Sequence, residues 1–307
     1  MKLEKIDLEL TSKCNLRCEH CYANSKRNGI DMPVDIALRI INEFSDIGGN
    51  RIALTGGEPT LHKNFIEIFN YAAEMGLRIE LETNGFFFSK FAEDISKKRE
   101  FIKYVQISLD AVSSKIHDEI RGIRGSFKKA VNAIKICNSF EIPVRVSTVL
   151  SKKNKNEIDK MIKLLQKFGV SDYRVDVVVP TGRAINNGIC AKEYAKIIKK
   201  FLSSNDKVVM PSCGVGYSRV AVLADGKITP CPMLRELIVG NAFNFGELSK
   251  ALNSDVVKKV REGLENSCGK CEKKNICGKG CKARAYAITK NLNASDPYRC
   301  ALFKNFL

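Results

Sequence analysis

The residues in this chain that are best able to do chemistry are its cysteines, which fall into closely spaced sets. Twelve cysteines occur among 307 residues, and ten of them lie in two regions, one towards each end of the chain. Single buried cysteines are common in protein cores, but a core does not need them at short, repeated spacings. The sets therefore indicate ligands for a metal ion or an iron–sulfur cluster.

The first set contains Cys14, Cys18 and Cys21 in C-x3-C-x2-C spacing, directly after a predicted strand. Three thiolates on one short loop can bind three irons of a 4Fe–4S cube and leave the fourth iron without a protein ligand. Such an open iron can bind a small molecule and take part in chemistry. A structural zinc ion is the alternative, and on this loop it would lack one ligand.

The second set occupies the last hundred residues. It combines a G-x4-C motif with a C-x2-C-x5-C-x3-C motif and contains seven cysteines: Cys213, Cys231, Cys268, Cys271, Cys277, Cys281 and Cys300. Pairs of cysteines in C-x2-C spacing often bind zinc, which is again the alternative. Seven ligands do not divide into two four-cysteine zinc sites.

The first two hundred residues alternate short β-rich runs with longer helical patterns. Strands are predicted at 6–10, 51–55, 78–83, 104–108, 144–149 and 173–179. Helices are predicted at 34–47, 64–75, 89–98, 127–140, 156–168 and 191–202. Six β–α repeats predict an α/β fold with parallel strands and crossover helices. Periodicity leaves open whether the strands form an open sheet or an incomplete barrel.

The pattern changes after about residue 203. An Asp-Gly pair at 225–226 predicts a β-hairpin, and short helices are expected near 245–252 and 256–264. The rest of this segment is rich in cysteine, glycine and lysine and has too few apolar residues for a core of its own. Bound clusters would supply the missing stability. We place a domain boundary near residue 205, which gives domains at 1–205 and 206–307.

Polar residues and glycines follow the predicted strands at their carboxyl ends, where β/α folds build active sites. They are Gly56, Gly57, Glu58 and Pro59 after the second strand, Thr83 and Asn84 after the third, and Ser108 and Asp110 after the fourth. Glycines allow a ligand to approach the backbone closely, and a carboxylate can accept a hydrogen bond from an ammonium group.

Taken together, these motifs resemble the radical S-adenosylmethionine (SAM) superfamily. The resemblance implies a partial (β/α)6 TIM-like barrel, which would decide between the two sheet arrangements. It also implies that the open iron chelates the amino and carboxylate groups of SAM. Cleavage of SAM would then give a 5′-deoxyadenosyl radical that abstracts a hydrogen atom from a substrate.

The resemblance assigns roles to particular residues. The Gly56–Pro59 segment would meet the amino group of SAM, and the polar residues at 83–84 and 108–110 would meet its ribose and carboxylate. Arg121 would pair with the carboxylate, for which a surface salt bridge is the alternative. His20 would pack near the cluster or the adenine.

The last hundred residues resemble the SPASM extension of the same superfamily, which implies two auxiliary 4Fe–4S clusters and three in total. The outer auxiliary cluster would be bound by Cys268, Cys271, Cys277 and Cys300. The inner one would be bound by Cys213, Cys231 and Cys281 and would lack one ligand. Cys190 could complete it or donate a hydrogen atom to a substrate radical, with a structural role as the alternative.

The composition excludes several classes of protein. The net charge of +17 would suit nucleic acid, but no recognition helix, zinc finger or aromatic stacking motif accompanies it, so we expect a solvated lysine-rich surface. Three histidines offer little for a histidine-based metal site. No run of 18 apolar residues and no signal peptide occurs, which predicts a cytoplasmic protein that does not contact membranes.

The substrate is predicted from the similarity to peptide-modifying maturases. It would be a ribosomally made peptide (RiPP) that receives a crosslink, a thioether or an epimerised residue, with flavodoxin or ferredoxin as reductant. Cys14 is expected to lie too close to the start of the sequence for a leader-binding domain to precede it, so a separate protein could present the peptide. Two alternatives stay open: a dehydrogenase of a small polar metabolite, and a non-catalytic iron–sulfur or zinc module that binds nucleic acid. Sulfatase maturation is disfavoured because Pro232 and Met233, rather than an acidic residue, follow Cys231.

Overall fold

The computed structural model describes residues 1–184, 188–202 and 212–303. Within these residues nine strands form one sheet in the order β6-β5-β4-β3-β2-β1-β7-β8-β9. The strands are β1 (Lys5–Thr11), β2 (Arg51–Gly56), β3 (Arg78–Thr83), β4 (Ile102–Ser108), β5 (Val144–Leu150), β6 (Asp172–Val177), β7 (Arg219–Val222), β8 (Lys227–Thr229) and β9 (Gly240–Asn241). The six predicted strands are all present and pair in parallel, which confirms the α/β fold.

Helices connect the parallel strands and continue into the cysteine-rich segment. They are α1 (Val34–Asp46), α2 (Phe65–Glu74), α3 (Ala92–Ser96), α4 (Ser114–Arg121), α5 (Ser126–Ser139), α6 (Ile158–Lys167), α7 (Ala191–Leu202), α8 (Glu247–Lys250), α9 (Asp255–Cys268), α10 (Lys274–Cys277), α11 (Lys282–Thr289) and α12 (Pro297–Phe303). The short helix α4 was not predicted. Among the described residues, no helix has both the length and the apolar character needed to cross a bilayer.

Alternation along β1 separates an apolar face from a polar one. Ile6, Leu8 and Leu10 are fully buried in the main core, where side chains of β2, β3 and the surrounding helices also pack. Lys5, Asp7 and Glu9 point to the opposite face, because successive strand side chains alternate. The helices cover only the apolar face, so the polar face lines the interior of the partial barrel.

Ion pairs neutralise the charges in this interior. Lys5 pairs with Glu80, Asp7 with Arg219, and Glu9 with Arg235, and Arg174 Nε lies 2.6 Å from Asp176 Oδ2. Burial alone would raise the pKa of Glu80, but the neighbouring Lys5 ammonium lowers it to about 2. Glu82 differs from these groups, because burial and the Asp7 charge raise its pKa and Thr55 Oγ1 donates to it at 3.1 Å. The interior is therefore polar, with most of its charges paired.

The cysteine-rich segment is joined to the barrel through backbone pairing. The predicted hairpin is confirmed as β7 and β8, and β7 also pairs in parallel with β1, from Lys5 opposite Arg219 to Leu8 opposite Val222. The chain returns to the barrel at its end, where α12 packs against α7 in a small apolar core. The domain boundary predicted near residue 205 lies outside the described residues.

Candidate active site

The three thiols of the first set lie on the loop that follows β1, which we call the thiol loop (residues 12–26). Cys14 and Cys18 are buried and Cys21 is partly buried. The backbone N–H of Leu16 donates a hydrogen bond to Cys14 Sγ at 3.4 Å, which orients this thiol. Apolar side chains pack around the thiols: Leu16, Phe86 and Ile123.

Burial favours the protonated form of Cys14 and Cys18 while no metal is bound. Burial raises the pKa of Cys14 to about 12, and the nearby Glu58 carboxylate acts in the same direction. Burial also raises the pKa of Cys18, while the Arg121 guanidinium opposes this shift. Because thiolates rather than thiols bind iron, loading of the loop must release protons.

Two glycines allow the end of β2 to dock against the thiol loop. Gly57 N donates to Thr11 O at 2.8 Å, and a Cβ on Gly56 would lie 2.3 Å from the same oxygen. A Cβ on Gly57 would lie 2.2 Å from Lys13 O. The space that a side chain would need at these glycines is filled by the backbone of the thiol loop. The predicted approach of SAM to Gly56 and Gly57 stays a prediction.

Glu58 joins the ends of β2 and β3. Its carboxylate is completely buried and accepts hydrogen bonds from Thr60 Oγ1 at 2.6 Å, Thr83 Oγ1 at 2.7 Å and Asn84 N at 2.8 Å. Burial raises its pKa, and these donors act in the opposite direction. The carboxylate also sits at the start of a 3-10 turn, Pro59–Leu61. Its contact with the amino group of SAM stays a prediction.

Asn84 faces the thiol loop directly. Its Nδ2 lies 4.0 Å from Cys14 Sγ and donates to Asn15 Oδ1 at 3.0 Å. Ser108, at the end of β4, lies in register opposite Ser147 of β5. The predicted contacts of Asn84 and Ser108 with SAM are not tested by this geometry and stay predictions.

Asp110 and Arg121 form a buried ion pair next to Cys18. Arg121 Nε lies 2.7 Å from Asp110 Oδ2. Arg121 Nη1 points to Cys18 Sγ at 3.6 Å. Burial would raise the pKa of Asp110, but the Arg121 charge lowers it overall. The salt bridge we considered for Arg121 is thus present but buried, and it places a cation beside a cluster thiol.

His20 lies against the same pair. Its Nε2 is 3.8 Å from Asp110 Oδ2, and its side chain is 9% exposed. Burial lowers the pKa of His20 to about 4, although Asp110 acts in the opposite direction. The imidazole is therefore neutral at physiological pH and contacts Asp110 without an ionic bond.

The carboxyl end of helix α4 supports the thiol loop. Arg17 N donates to Arg121 O and Glu19 N donates to Ile120 O, each at 3.0 Å, so carbonyls left free at the helix end are used. Gly122 follows with φ of +72°, and a Cβ there would lie 2.8 Å from Arg17 O. This short helix positions Arg121 relative to Cys18.

Arg183 is a site residue that sequence analysis did not single out. It lies on the loop after β6, where Arg183 N donates to Cys21 O at 3.0 Å and Nε to Cys18 O at 2.9 Å. Its Nη1 donates to Ser25 O at 2.7 Å. A Cβ on the preceding Gly182 would lie 2.4 Å from Cys21 O. The sequence signal that could have identified Arg183 is the position of its loop after the end of a predicted strand.

The seven thiols of the second set divide into two groups according to which sulfurs influence one another. The pKa of Cys231 is raised to about 12 by burial and then by the charges of Cys213 and Cys281. The pKa of Cys300 is raised by burial, by Asp296 and then by the other members of its group: Cys268, Cys277 and Cys271. We call these the inner group (Cys213, Cys231, Cys281) and the outer group (Cys268, Cys271, Cys277, Cys300).

Cys190 lies apart from the thiol loop, at the start of α7. It is exposed, and its charge affects the pKa of Tyr298, a residue of α12 whose hydroxyl donates to Ile189 O at 2.6 Å. α12 also carries Cys300 of the outer group. Both predicted roles of Cys190, as the missing inner ligand and as a hydrogen-atom donor, stay predictions.

The donor chemistry of all three thiol groups fits iron–sulfur clusters. Cysteine thiolates are the usual ligands of 4Fe–4S clusters, and a cube places its ligands at separate corners. In the described ranges, no three His, Cys, Asp or Glu side chains converge in the way a single metal ion would need.

Comparison with protein families decides the assignment. The model of the radical SAM superfamily matches residues 8–165, which is half of the chain. The chain belongs to the radical SAM superfamily. The model of the SPASM iron–sulfur cluster-binding domain matches residues 213–275, so this radical SAM protein also carries a SPASM domain.

Its relatives include enzymes with different substrates. The AdoMet-dependent heme synthase of Methanosarcina barkeri is 30% identical, and the match covers 94% of each chain. The subtilosin biosynthesis protein AlbA of Bacillus subtilis is 28% identical over 97% of this chain and 70% of AlbA. The structure of Streptococcus suis SuiB bound to its precursor peptide SuiA shares the fold, with a TM-score of 0.79 at 18% identity over 98% of this chain and 76% of SuiB.

Proposed function

We propose that this radical SAM enzyme binds three 4Fe–4S clusters, cleaves SAM and abstracts a hydrogen atom from its substrate. The proposal is carried by the spacing of ten cysteines in sets of three, three and four, and within each set the thiols act on one another's pKa. The group of three on the thiol loop would bind the cluster that holds SAM. When bound there, that cluster supplies the electron that cleaves SAM to methionine and a 5′-deoxyadenosyl radical.

The residues around the thiol loop provide rigidity and charge. Arg183 bonds to the loop carbonyls at Cys18 and Cys21, and Asn84 contacts the loop at Cys14. Arg121 Nη1 donates to Cys18 Sγ, and the buried Asp110 carboxylate balances the Arg121 charge and holds Arg121 in that position. Together these residues orient the three thiols, and the Arg121 donor would stabilise a thiolate at Cys18.

The inner group connects the SPASM domain to the barrel interior. Arg219 pairs with Asp7 inside the barrel, and the charges of Cys231 and Cys213 also act on its guanidinium. A substrate in the barrel would therefore lie between the thiol loop and the inner group. A hydrogen atom could then be removed from the substrate on the side of the thiol loop, and an electron could pass from the substrate to the inner group.

For the substrate, we propose a peptide whose side chain or backbone is modified. The interior is lined by paired charges rather than by apolar surface, which suits the amides and polar side chains of a peptide. AlbA, a bacteriocin biosynthesis protein, is among the relatives. The fold likeness to SuiB adds nothing to this choice, because the two sequences are only 18% identical.

A second candidate substrate is a tetrapyrrole precursor of haem. It is favoured by the heme synthase of Methanosarcina barkeri, which matches this chain from end to end at 30% identity. Against it stands the polar interior, which offers little apolar surface to a planar macrocycle.

We also propose that a flavodoxin or ferredoxin reduces the enzyme in the cytoplasm. A cavity of about 330 Å³ opens beside Cys14, and the exposed cation Arg27 lines it. Arg17 and Arg124 are exposed on the segments that pack around the thiol loop. Positive charge near the thiols would attract an acidic electron carrier.

The test of the radical chemistry compares wild type with a Cys14/Cys18/Cys21→Ala variant, both reconstituted without oxygen. We expect about twelve irons in the wild type and about eight in the variant. With dithionite and SAM, only the wild type should release 5′-deoxyadenosine. Bound zinc, or full iron content without SAM cleavage, would refute the proposal.

The substrate is tested by deuterium transfer into 5′-deoxyadenosine. Short peptides encoded beside the gene and a haem-precursor tetrapyrrole would each be supplied in deuterated form. Transfer from a peptide alone supports the first candidate, and transfer from the tetrapyrrole alone replaces it with the second.

A further inference from the structure

Lys282 is buried immediately beside the second thiol set. It is the first residue of α11, follows Cys281 directly and is only 2% exposed. Its ammonium group donates to three backbone carbonyls and one hydroxyl at 2.8–3.1 Å: Gly263 O, Leu292 O, Ala294 O and Ser267 Oγ. Fully buried lysines are rare unless they are paired with an acid.

The hydroxyl of Ser267 connects this ammonium to the outer group. Ser267 Oγ lies 3.1 Å from Lys282 Nζ and 3.5 Å from Cys268 Sγ. An ammonium can only donate, so the serine oxygen accepts from Lys282 and its own hydrogen remains available. That hydrogen can go to Leu264 O at 3.3 Å or to Cys268 Sγ. A metal-bound thiolate is the stronger acceptor because it carries charge.

The inner group has a different electrostatic environment at the start of α11, where Cys281 directly precedes Lys282. Cys281 Sγ accepts a hydrogen bond from Arg284 N at 3.4 Å. The Arg284 guanidinium is neutralised by Asp296, whose Oδ2 also accepts from Cys281 N at 2.9 Å. Lys282, by contrast, has no ion-pair partner among the described carboxylates; its four acceptors are neutral. Its ammonium lies near thiols of both groups, but Cys268 acts on the Lys282 pKa more strongly than Cys281 does, and the hydroxyl contact through Ser267 leads only to Cys268.

We propose that Lys282, acting through Ser267, is a positioning residue that raises the reduction potential of the outer auxiliary cluster above that of the inner one. This inference rests on the proposed binding of clusters at both groups. Positive charge and hydrogen bonds to ligand sulfur stabilise the reduced state, which is more negative by one charge. One electron would then move from the inner to the outer group, without any proton or bond change, and leave to an external ferredoxin or flavodoxin.

The test is a redox titration of the reconstituted enzyme, followed by electron paramagnetic resonance. The outer signal is identified as the one lost in a Cys268/Cys271→Ala variant. In K282M we expect the outer potential to fall by at least about 59 mV, a tenfold change in the one-electron equilibrium. S267A should lower the same potential by a smaller amount while the lysine stays in place.

The matched control is K270M. Lys270 lies between Cys268 and Cys271 in sequence but is exposed, so water screens its charge and the outer potential should not move. An unchanged outer potential in iron-replete K282M and S267A would overturn the inference. If K282M fails to retain iron, S267A alone decides, because it leaves the buried charge in place. A wild type without two titrating auxiliary signals would instead refute the proposed function.

Discussion

The thiol loop and the SPASM thiol groups differ in what holds them in place. The thiol loop is fixed by segments that follow β2, β3 and β6 and by the end of α4. These segments belong to a barrel with a large apolar core of its own. The SPASM groups lie on and between short helices. In the part of the chain that the structure describes, the apolar core around them has five buried residues: Val215, Leu234, Val260, Leu264 and Ala283.

This difference indicates how far the folding of each region depends on its clusters. We expect the barrel to fold without iron, because its core is large and hydrogen bonds hold the thiol loop. The first part of the SPASM domain packs into that barrel core, but the core around its thiol groups is small, so we expect cluster ligation to contribute much of the folding free energy there. The two regions should therefore respond differently when clusters are removed or supporting residues are changed.

Removal of iron should give the largest difference in amide exchange between the two regions. After anaerobic chelation, we expect amides of α9 to α12 to exchange with deuterium at least roughly 100-fold faster, because local opening no longer breaks metal bonds. Amides of β1 to β5 should keep their protection. Hydrogen exchange with mass spectrometry measures both regions in one sample. Equal loss of protection in the barrel would contradict the comparison.

A buried Arg–Asp pair beside the thiol loop has a counterpart beside the SPASM thiols, and this allows a matched test. Asp110→Asn leaves Arg121 charged and buried without its partner, and we expect the barrel to lose about 3–5 kcal/mol of unfolding free energy. Asp296→Asn removes the partner of Arg284 in the same way. Because the SPASM fold depends on clusters, we expect this variant to lose auxiliary iron first.

Denaturant unfolding and iron analysis separate these outcomes. Asp172→Asn is the control, since Asp172 and its partner Arg145 are more exposed and should cost about 1 kcal/mol or less. The comparison fails if the Asp296→Asn variant retains all its iron and is destabilised as much as the Asp110→Asn variant.

The contact between Gly182 and the thiol loop can be broken by one methyl group. Gly182→Ala places a Cβ 2.4 Å from Cys21 O, so the loop must shift, and we expect SAM cleavage to fall about tenfold or more. Gly169→Ala is the control. Gly169 has a similar φ of +69° against +64° but no atom within 4 Å of its Cβ position, so strain alone should leave cleavage unchanged. Similar activity of both variants would show that the loop tolerates displacement.

The smallest effect is expected at Cys190. Because Cys190 is exposed and lies beside Tyr298, Cys190→Ser should leave the iron content unchanged and alter the unfolding free energy by about 0.5 kcal/mol or less. Cys300→Ser, on the adjacent α12, should release iron from the outer group. Iron loss from the Cys190 variant would make this thiol a ligand after all.

Local patterns in the sequence predicted much of the fold. The six parallel strands and the hairpin followed from short apolar runs and turn residues. The cysteines of the thiol loop could be identified because their spacing is itself the signal. The packing of Gly56 and Gly57 against the thiol loop could not be predicted, because their neighbours Thr11 and Lys13 are distant in sequence. The bonds from Arg183 to the thiol loop were missed for the same reason.

Pairing of β7 with β1 also has a consequence for the order of synthesis. β1 emerges first from the ribosome, and β2 can cover one of its edges soon afterwards. The other edge stays unpaired until residues 219–222 have been made, when most of the chain is already present. During that interval the nascent chain exposes backbone groups that can pair with other strands. Arrival of β7 closes this edge and attaches the SPASM domain in the same event.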